Sequence, residues 1–158
     1  MRLELTKRGD YGIRAMLALA RAPTATLVSA RRIAAAMDIP VRFLPQVLGD
    51  LSRAGLVQST PGRSGGYRLA RPAAEVSLLD VIEAVEGDSR RRTCVLRGAP
   101  CGLDGYCDVH AVFFAGQEAL LAALAAATLQ SLVETAGPAG TRGRSAGSKQ
   151  AVRPLPNL

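Results

Sequence analysis

Apolar side chains near the start of the chain recur every three or four residues, which is the spacing of an amphipathic helix. The pattern predicts a first helix over residues 6–21, ended by Ala22-Pro23-Thr24. A second helix is predicted over residues 30–37, with Ser29 as its N-cap. The apolar face of the first helix consists of Tyr11, Ile13, Met16, Leu17 and Leu19.

A third helix follows after the tight connection Asp38-Ile39-Pro40. It is predicted from about residue 41 to residue 54, and Gly55 ends it as the C′ residue. Pro45 falls in its first turns, where a missing N–H costs little.

The next segment has the alternation and turn residues of a β-hairpin. Residues 56–60 and 67–71 are predicted strands, joined by a Gly-rich basic loop over 61–66. A helix, a tight turn, a helix and then a hairpin is the element order of a winged helix-turn-helix.

Two more helices are predicted in the second half of the chain. One covers residues 78–86, with Ser77 as its cap and Gly87 at its end. The other is a long helix from about residue 108 to 132, apolar on most faces in its early part, which favours packing against a partner subunit. After residue 135 the chain is rich in Gly, Pro, Ala, Arg and Ser, so we expect a disordered tail.

Composition narrows the class of protein. Its 158 residues are the length of one domain, or of a small domain with an added arm. The apolar content of 48% is too high for a wholly disordered protein. The chain has no apolar run long enough for a membrane span and no apolar signal core, so we expect a cytosolic protein without a membrane partner.

The net charge of +7 is concentrated in the first half of the chain. Residues 1–75 hold 12 basic and 5 acidic side chains, which favours DNA binding over a merely solvated basic surface. Arg42, Phe43 and Gln46 would face bases, Arg63 at the wing tip would face phosphate or the minor groove, and two glycines would let the wing approach DNA closely. The candidate DNA-contacting residues are Lys7, Tyr11, Arg31, Arg42, Phe43, Gln46, Arg63, Gly65 and Gly66.

All three cysteines and the single histidine fall within 17 residues, as Cys94-x6-Cys101-x5-Cys107-x2-His110. The surrounding segment, residues 88–106, is predicted to be irregular and contains glycines that allow it to wrap a metal centre. Three thiolates and one further ligand suit Zn²⁺ or an iron–sulfur cluster, although the spacing lacks the Cys-x2-Cys pairs of most structural zinc sites. Redox-active thiols without metal, and inert cysteines, remain open.

The sequence has no pattern typical of a catalytic site. It lacks a phosphate-binding loop, a Cys-x2-Cys pair and a second histidine, so we expect a protein that is not an enzyme.

The chain resembles the Rrf2 family of bacterial transcription regulators from Met1 to about Val133. The resemblance is carried by MRLELTKRGDYGIRAMLALA, LSRAGLVQSTPGRSGGYRLAR, SLLDVIEAVEG, the three-cysteine loop and the long helix. It implies a homodimer in the bacterial cytoplasm, with the long helix crossing between subunits. Two winged domains would read a pseudo-palindromic operator in double-stranded DNA, and RNA polymerase would be an indirect partner.

The resemblance also implies that the three cysteines hold a [2Fe–2S] or [4Fe–4S] cluster whose state changes operator affinity. His110 matches the fourth ligand of the iron–sulfur biogenesis regulators, and Asp10 matches that of the nitric-oxide-sensing regulators. Arg42, Pro45 and Pro61 depart from the biogenesis regulators, so we expect a different operator sequence.

The expectation is a mainly α protein with a small β-hairpin. A winged helix-turn-helix over residues 1–75 would be followed by a cluster-binding loop and dimerisation helix over 76–134 and a tail over 135–158. Its function would be transcriptional regulation controlled by an iron–sulfur cluster that senses redox state, nitric oxide or iron–sulfur status. The alternative is a cluster-free regulator that uses thiols, zinc or a partner protein.

Overall fold

The computed structural model describes residues 5–87 and 109–136, which form helices and one antiparallel hairpin. The helices are α1 (Lys7–Arg21), α2 (Ala30–Met37), α3 (Leu44–Arg53), α4 (Leu78–Glu86), α5 (His110–Ala126) and α6 (Leu129–Ala136). The strands are β1 (Val57–Thr60) and β2 (Gly66–Leu69), and short 3₁₀ turns cover Val41–Phe43 and Ala73–Glu75. The predicted irregular segment over residues 88–106, all three cysteines, and all of the predicted tail after residue 136 lie outside the described residues.

Hydroxyl side chains cap four of the described helices, because the first backbone N–H groups of a helix have no partner within it. Ser29 caps α2 by accepting from the backbone N–H of Arg32, and Ser77 caps α4, as predicted. Ser77 and Asp80 form a reciprocal capping box, with N···O distances of 2.8 and 3.1 Å. Thr6 caps α1 by accepting a hydrogen bond from the backbone N–H of Gly9.

The connection from α2 to α3 is tight, as predicted, but α3 begins later than residue 41. Asp38 ends α2 with a left-handed backbone (φ 52°), which turns the chain sharply. A 3₁₀ turn then precedes Leu44. Pro45 has no N–H to donate to the carbonyl of Val41, and Leu44 donates to it instead, so the α-helical pattern starts at Leu44.

The core lies where α1, α3 and α4 meet, and α6 also packs into it. It therefore includes side chains beyond residue 75, the predicted end of the winged helix-turn-helix. Gly12 of α1 faces α4 so closely that an added Cβ would lie 3.1 Å from Cγ1 of Val85. The absence of a side chain therefore brings the two helices together. The fully buried side chains at the centre include Met16, Ile33, Leu44, Leu48, Leu51, Val81 and Leu129.

The hairpin forms where predicted, with its second strand shifted toward the turn. Val57 pairs with Leu69 and Thr60 with Gly66, so β2 begins at Gly66 instead of residue 67 and ends before Ala70. Tyr67 also bridges to Val28 through two backbone hydrogen bonds of 2.9 Å. These bonds attach the hairpin to the segment that leads into α2.

The prediction of one long helix to residue 132 is wrong at its C-terminal end. Helix α5 ends at Ala126, and Thr128 caps a separate helix, α6, by accepting from the backbone N–H of Ser131. The break is stabilised by backbone hydrogen bonds from Leu78 to Ala127 and from Leu129 to Val76. None of the helices in the described part of the chain is long and apolar enough to cross a membrane.

We predict that Gly66→Ala destabilises the protein by about 1–3 kcal/mol, the usual cost of forcing extra atoms into a packed position. An added Cβ would lie only 2.8–3.1 Å from backbone atoms of Val28, which cannot move aside without opening the hairpin bridge. Urea denaturation followed by circular dichroism measures the change in the free energy of unfolding.

Gly49→Ala is the matched control, since an added Cβ there has no neighbour closer than the Arg53 guanidinium at 3.7 Å. This variant should be unchanged or more stable by about 0.5–1 kcal/mol, because alanine favours a helix interior over glycine. Equal unfolding free energies for the two variants would contradict the packing constraint at Gly66.

Candidate nucleic-acid interface

One side of α3 packs into the core and the opposite side faces solvent. Leu44, Val47, Leu48 and Leu51 are buried on the core side. Arg42, in the turn that leads into the helix, and Gln46 are exposed on the other side. The helix is therefore held by its apolar face and presents a polar stripe, which is the arrangement that a recognition helix needs to enter the major groove.

Aromatic and cationic side chains stack at the start of this stripe. The ring centroids of Tyr11 on α1 and Phe43 are 5.5 Å apart, and the Arg42 guanidinium carbon lies 4.9 Å from the Phe43 ring centroid. Contacts of this kind stabilise a particular side-chain geometry. Phe43 and Tyr11 are half-buried, so their rings support Arg42 while its guanidinium stays accessible.

The loop between β1 and β2 carries Arg63 at its exposed tip. A backbone hydrogen bond of 3.0 Å from Gly65 to Gly62 closes the turn. A side chain on Gly65 would lie within 2.1 Å of the Thr60 carbonyl oxygen. The turn itself therefore requires Gly65, and the packing of the hairpin against Val28 requires Gly66. The role of both glycines in the approach to DNA stays a prediction.

The other two predicted contact residues begin helices. Lys7 is the first residue of α1, and Arg31 lies in the first turn of α2. Both are exposed. The structure thus brings Tyr11, Arg42 and Phe43 into one stack and places Lys7 and Arg31 on separate helix starts.

A buried carboxylate on α3 was missed by the reasoning from sequence. Asp50 is 8% exposed and bonds to Arg8 of α1 and to Arg53 of its own helix. The spacing of Asp50 and Arg53 is a helical pairing that sequence inspection could have found. No local pattern signals the partnership with Arg8.

Asp10, a candidate metal ligand, is paired with an arginine of its own helix. Its two carboxylate oxygens each lie 2.8 Å from a nitrogen of Arg14, and the carboxylate is 40% exposed. Arg14 also donates to the carbonyl of Met37 at the end of α2. The carboxylate is accessible to solvent, and both of its oxygens are paired with the Arg14 guanidinium.

The other candidate ligands cannot be placed beside Asp10. Cys94, Cys101 and Cys107 lie outside the described residues, and of His110 only the position at the start of α5 is described. Within residues 5–87 and 109–136, no group of three or more His, Cys, Asp or Glu side chains is placed to hold a metal ion. The ligand set therefore stays a prediction.

The end of α4 is attached to the start of α1. Glu86 accepts hydrogen bonds from the backbone N–H and the hydroxyl of Thr6, at 3.0 and 2.7 Å. Glu86 is the last residue of α4, so along the sequence this contact comes shortly before the cysteine segment, residues 94–107.

Comparison with known proteins finds one family model that matches most of the chain. Residues 5–135 match the Rrf2 model, whose description is "Iron-dependent Transcriptional regulator". The chain is 30% identical over 132 residues to the HTH-type transcriptional regulator NsrR of Shouchella clausii, covering 83% of this chain and 89% of that protein. Against some other curated relatives the match is shorter, and the chain spans about half, 53%, of their length.

Two solved structures share this architecture. CymR, described as the global cysteine regulator of B. subtilis, superposes with a TM-score of 0.70 at 25% identity, covering 85% of this chain and 98% of that one. IscR of T. potens superposes with a TM-score of 0.69 at 27% identity, covering 85% of this chain and 88% of that one. Both agree with a mainly helical fold that carries a two-stranded wing.

We predict that Arg42→Ala changes the sequence preference of DNA binding. If the Arg42 guanidinium reads a guanine, its loss should cost about 1–3 kcal/mol on the preferred duplex and much less on random DNA. The preferred duplex is one selected by the wild-type protein from a random library, and fluorescence anisotropy measures both affinities.

Arg63→Ala is the control, because it removes the same charge from the wing tip. It should weaken binding to both duplexes and lower the slope of log K against log salt by about 1, as expected for one lost phosphate contact. If Arg42→Ala weakens binding to both duplexes equally, Arg42 does not read a base.

Proposed function

The chain belongs to the Rrf2 family of transcriptional regulators, and from that premise we propose that it is a homodimeric DNA-binding regulator controlled by an iron–sulfur cluster. The observation that carries the proposal is the family match over residues 5–135 combined with three cysteines in a span of 14 residues. The family description as iron-dependent supports iron over zinc. NsrR and the two relatives that match over half of their length are named as transcriptional regulators, which agrees with a protein that is not an enzyme.

The donor set fits the chemistry of such a cluster. Thiolates of Cys94, Cys101 and Cys107 are the ligands that iron–sulfur clusters prefer. When bound, the cluster supplies a centre whose charge and ligation respond to redox state, nitric oxide or iron supply. A fourth ligand would come from His110 or from Asp10.

Ligation of iron by Asp10 would compete with its pairing with Arg14. Both carboxylate oxygens contact that guanidinium, so giving an oxygen to iron would weaken at least one of the two contacts. Since Arg14 also binds the carbonyl of Met37, ligation by Asp10 would alter a contact between α1 and α2. This route would couple the metal centre directly to the DNA-reading half.

A second route from the cysteines to the DNA-facing surface would run along the chain to Glu86 and through its contact with Thr6. Glu86 holds the start of α1, and the neighbouring residue Lys7 is a predicted DNA contact. A change in the cysteine segment that displaces Glu86 would therefore move the start of α1. This is how an event at the cysteines would reach the DNA-facing surface.

Helix α5 is the proposed dimer interface. Its 17 residues include a single carboxylate, Glu118, and no Lys or Arg. Phe113 and Leu120 lie one heptad apart and are 41% and 39% exposed, and Val112 is 73% exposed. Apolar residues at this spacing pack well against a second helix, so we propose that α5 packs against α5 of a second copy.

The expected result for Leu120→Glu is a weaker dimer, because a carboxylate buried in an apolar interface has no partner. The cost should be about 3 kcal/mol, or about a hundredfold in the dimer dissociation constant. Ala35→Glu, at an exposed position of α2, adds the same charge and should leave the dimer intact. Sedimentation equilibrium measures both constants, and unchanged association of Leu120→Glu would exclude this face.

Anaerobic purification tests the cluster. The protein should be coloured, contain iron and acid-labile sulfide, and bind the selected DNA duplex with different affinity before and after removal of the cluster by chelator. Cys101→Ala should lose the iron and the difference in affinity while retaining the fold. A colourless protein without iron that binds DNA identically under nitric oxide, peroxide and reductant would reject the proposal.

The second candidate function is a cluster-free thiol, zinc or partner-protein switch on the same fold. The structural likeness to the cysteine regulator CymR favours it as the alternative. One zinc ion per chain, or no metal together with a disulfide-dependent change in affinity, would select a zinc or thiol switch. If Cys94→Ala leaves both DNA binding and its regulation unchanged, a partner protein would be the signal.

A further inference from the structure

Among the charged side chains that the structure describes, Asp50 is the one that is buried. It lies on α3, the predicted recognition helix. Its Oδ2 accepts from Nη2 of Arg8 on α1, and its Oδ1 accepts from Nη2 of Arg53 on α3. One carboxylate thus holds two guanidinium groups from two different helices.

The charges of this group do not cancel. One carboxylate neutralises one arginine, so the group of Arg8, Asp50 and Arg53 carries a net charge of +1. The arginine side chains are 46% and 75% exposed, whereas the carboxylate between them is buried. Each guanidinium has five N–H donors in a plane and contacts Asp50 through Nη2, so donors remain for a second anion.

The position of Arg53 relates the group to the predicted DNA-facing stripe. Arg42, Gln46, Gly49 and Arg53 follow one another at intervals of four, three and four residues, which places them along one side of the helix. A Cβ built on Gly49 would lie 3.7 Å from Nη1 of Arg53, so this guanidinium extends back over the glycine toward the stripe. The anion that approaches such a surface is a phosphate of the DNA backbone beside the groove.

We propose that Asp50 is a positioning residue that holds Arg8 and Arg53 together as a clamp for one DNA backbone phosphate. The carboxylate stays behind the two guanidinium groups and fixes their spacing, and their outward donors bind the phosphate oxygens. The clamp would fix how α1 and α3 sit together on the duplex, next to base contacts by Arg42 and Gln46. This inference rests on the proposed DNA-binding function.

The decisive variant is Asp50→Asn, because a simple charge effect and the clamp give opposite signs. Removing a negative charge beside DNA would strengthen binding if electrostatic attraction alone mattered. The clamp requires the reverse, because each oxygen of Asp50 holds one guanidinium group and the amide nitrogen of Asn is a donor that cannot hold the second one. We expect Asp50→Asn to weaken binding about five- to tenfold on both selected and random DNA.

Two substitutions at Arg53 separate charge from geometry. Arg53→Ala should weaken binding about tenfold and lower the slope of log K against log salt by about 1, as loss of one phosphate contact does. Arg53→Lys keeps the charge without the planar fork, so it should retain most of the salt slope and lose part of the affinity. Arg53→Lys keeps a cationic partner for Asp50, so it should unfold at a temperature close to that of the wild type. Arg53→Ala leaves Oδ1 of the buried carboxylate without this partner, so it should unfold at a somewhat lower temperature.

Arg21→Ala is the matched control, since it removes an equal charge from the opposite end of α1. Anisotropy titrations with a selected and a random duplex at several salt concentrations measure all variants, and thermal unfolding checks their fold. The clamp is overturned if Asp50→Asn strengthens binding, or if Arg53→Ala has the same salt slope as Arg21→Ala. If Asp50→Asn does not fold, the slopes of the two Arg53 variants decide.

The same experiment distinguishes failure of the clamp from failure of the proposed function. If the wild-type protein binds DNA with a steep salt dependence but Arg53→Ala and Arg21→Ala behave alike, the clamp alone is wrong. If the wild type binds neither duplex at low salt, DNA binding itself is wrong and the clamp fails with it.

Discussion

The close approach of α1 to α4 is the contact on which the rest of the structure depends. It exists because Gly12 leaves room for Val85, and because Gly9 does the same for the side chain of Glu86. Helix α1 also packs against α2, α3, α6 and β2, so each of these elements takes its position from a helix that α4 holds in place. The small residues of α1 therefore determine the geometry of both halves of the described structure.

The two ends of this arrangement have different chemistry. Toward α3, the first turns of α1 contribute Tyr11 to an aromatic stack and Arg8 to a buried carboxylate. Toward α4, the N-cap residue Thr6 bonds to Glu86, which precedes Cys94 by eight residues in the sequence. A rigid shift of α1 changes both sets of contacts together, because a short helix moves as one body. This would give the proposed sensing segment and the predicted DNA-facing surface a common mechanical element.

Local signals predicted much of this fold. Ser29 and Ser77 are caps that can be recognised from residue type and position, and the Gly-rich loop predicts a hairpin without any tertiary information. The break at Ala127 was missed because alanine continues a helix well, and the backbone bonds that end the helix come from Leu78 and Val76, which are distant in the sequence. The candidate site divides in the same way. Exposed residues of α3 follow from helical periodicity, whereas the link from Asp50 to Arg8 joins positions 42 residues apart and has no local signature.

The packing of Val76, Val81, Val85 and Leu129 into the same core as α1 has an evolutionary consequence. A fragment cut after residue 75 would leave the glycine face of α1 uncovered and the start of that helix without Glu86. The predicted DNA-facing elements therefore share their core with the following helices and would not be complete without them. A gene fusion or domain exchange that preserves this core would have to transfer α4 and α6 as well, so we expect the DNA-facing elements and α4 to be inherited together.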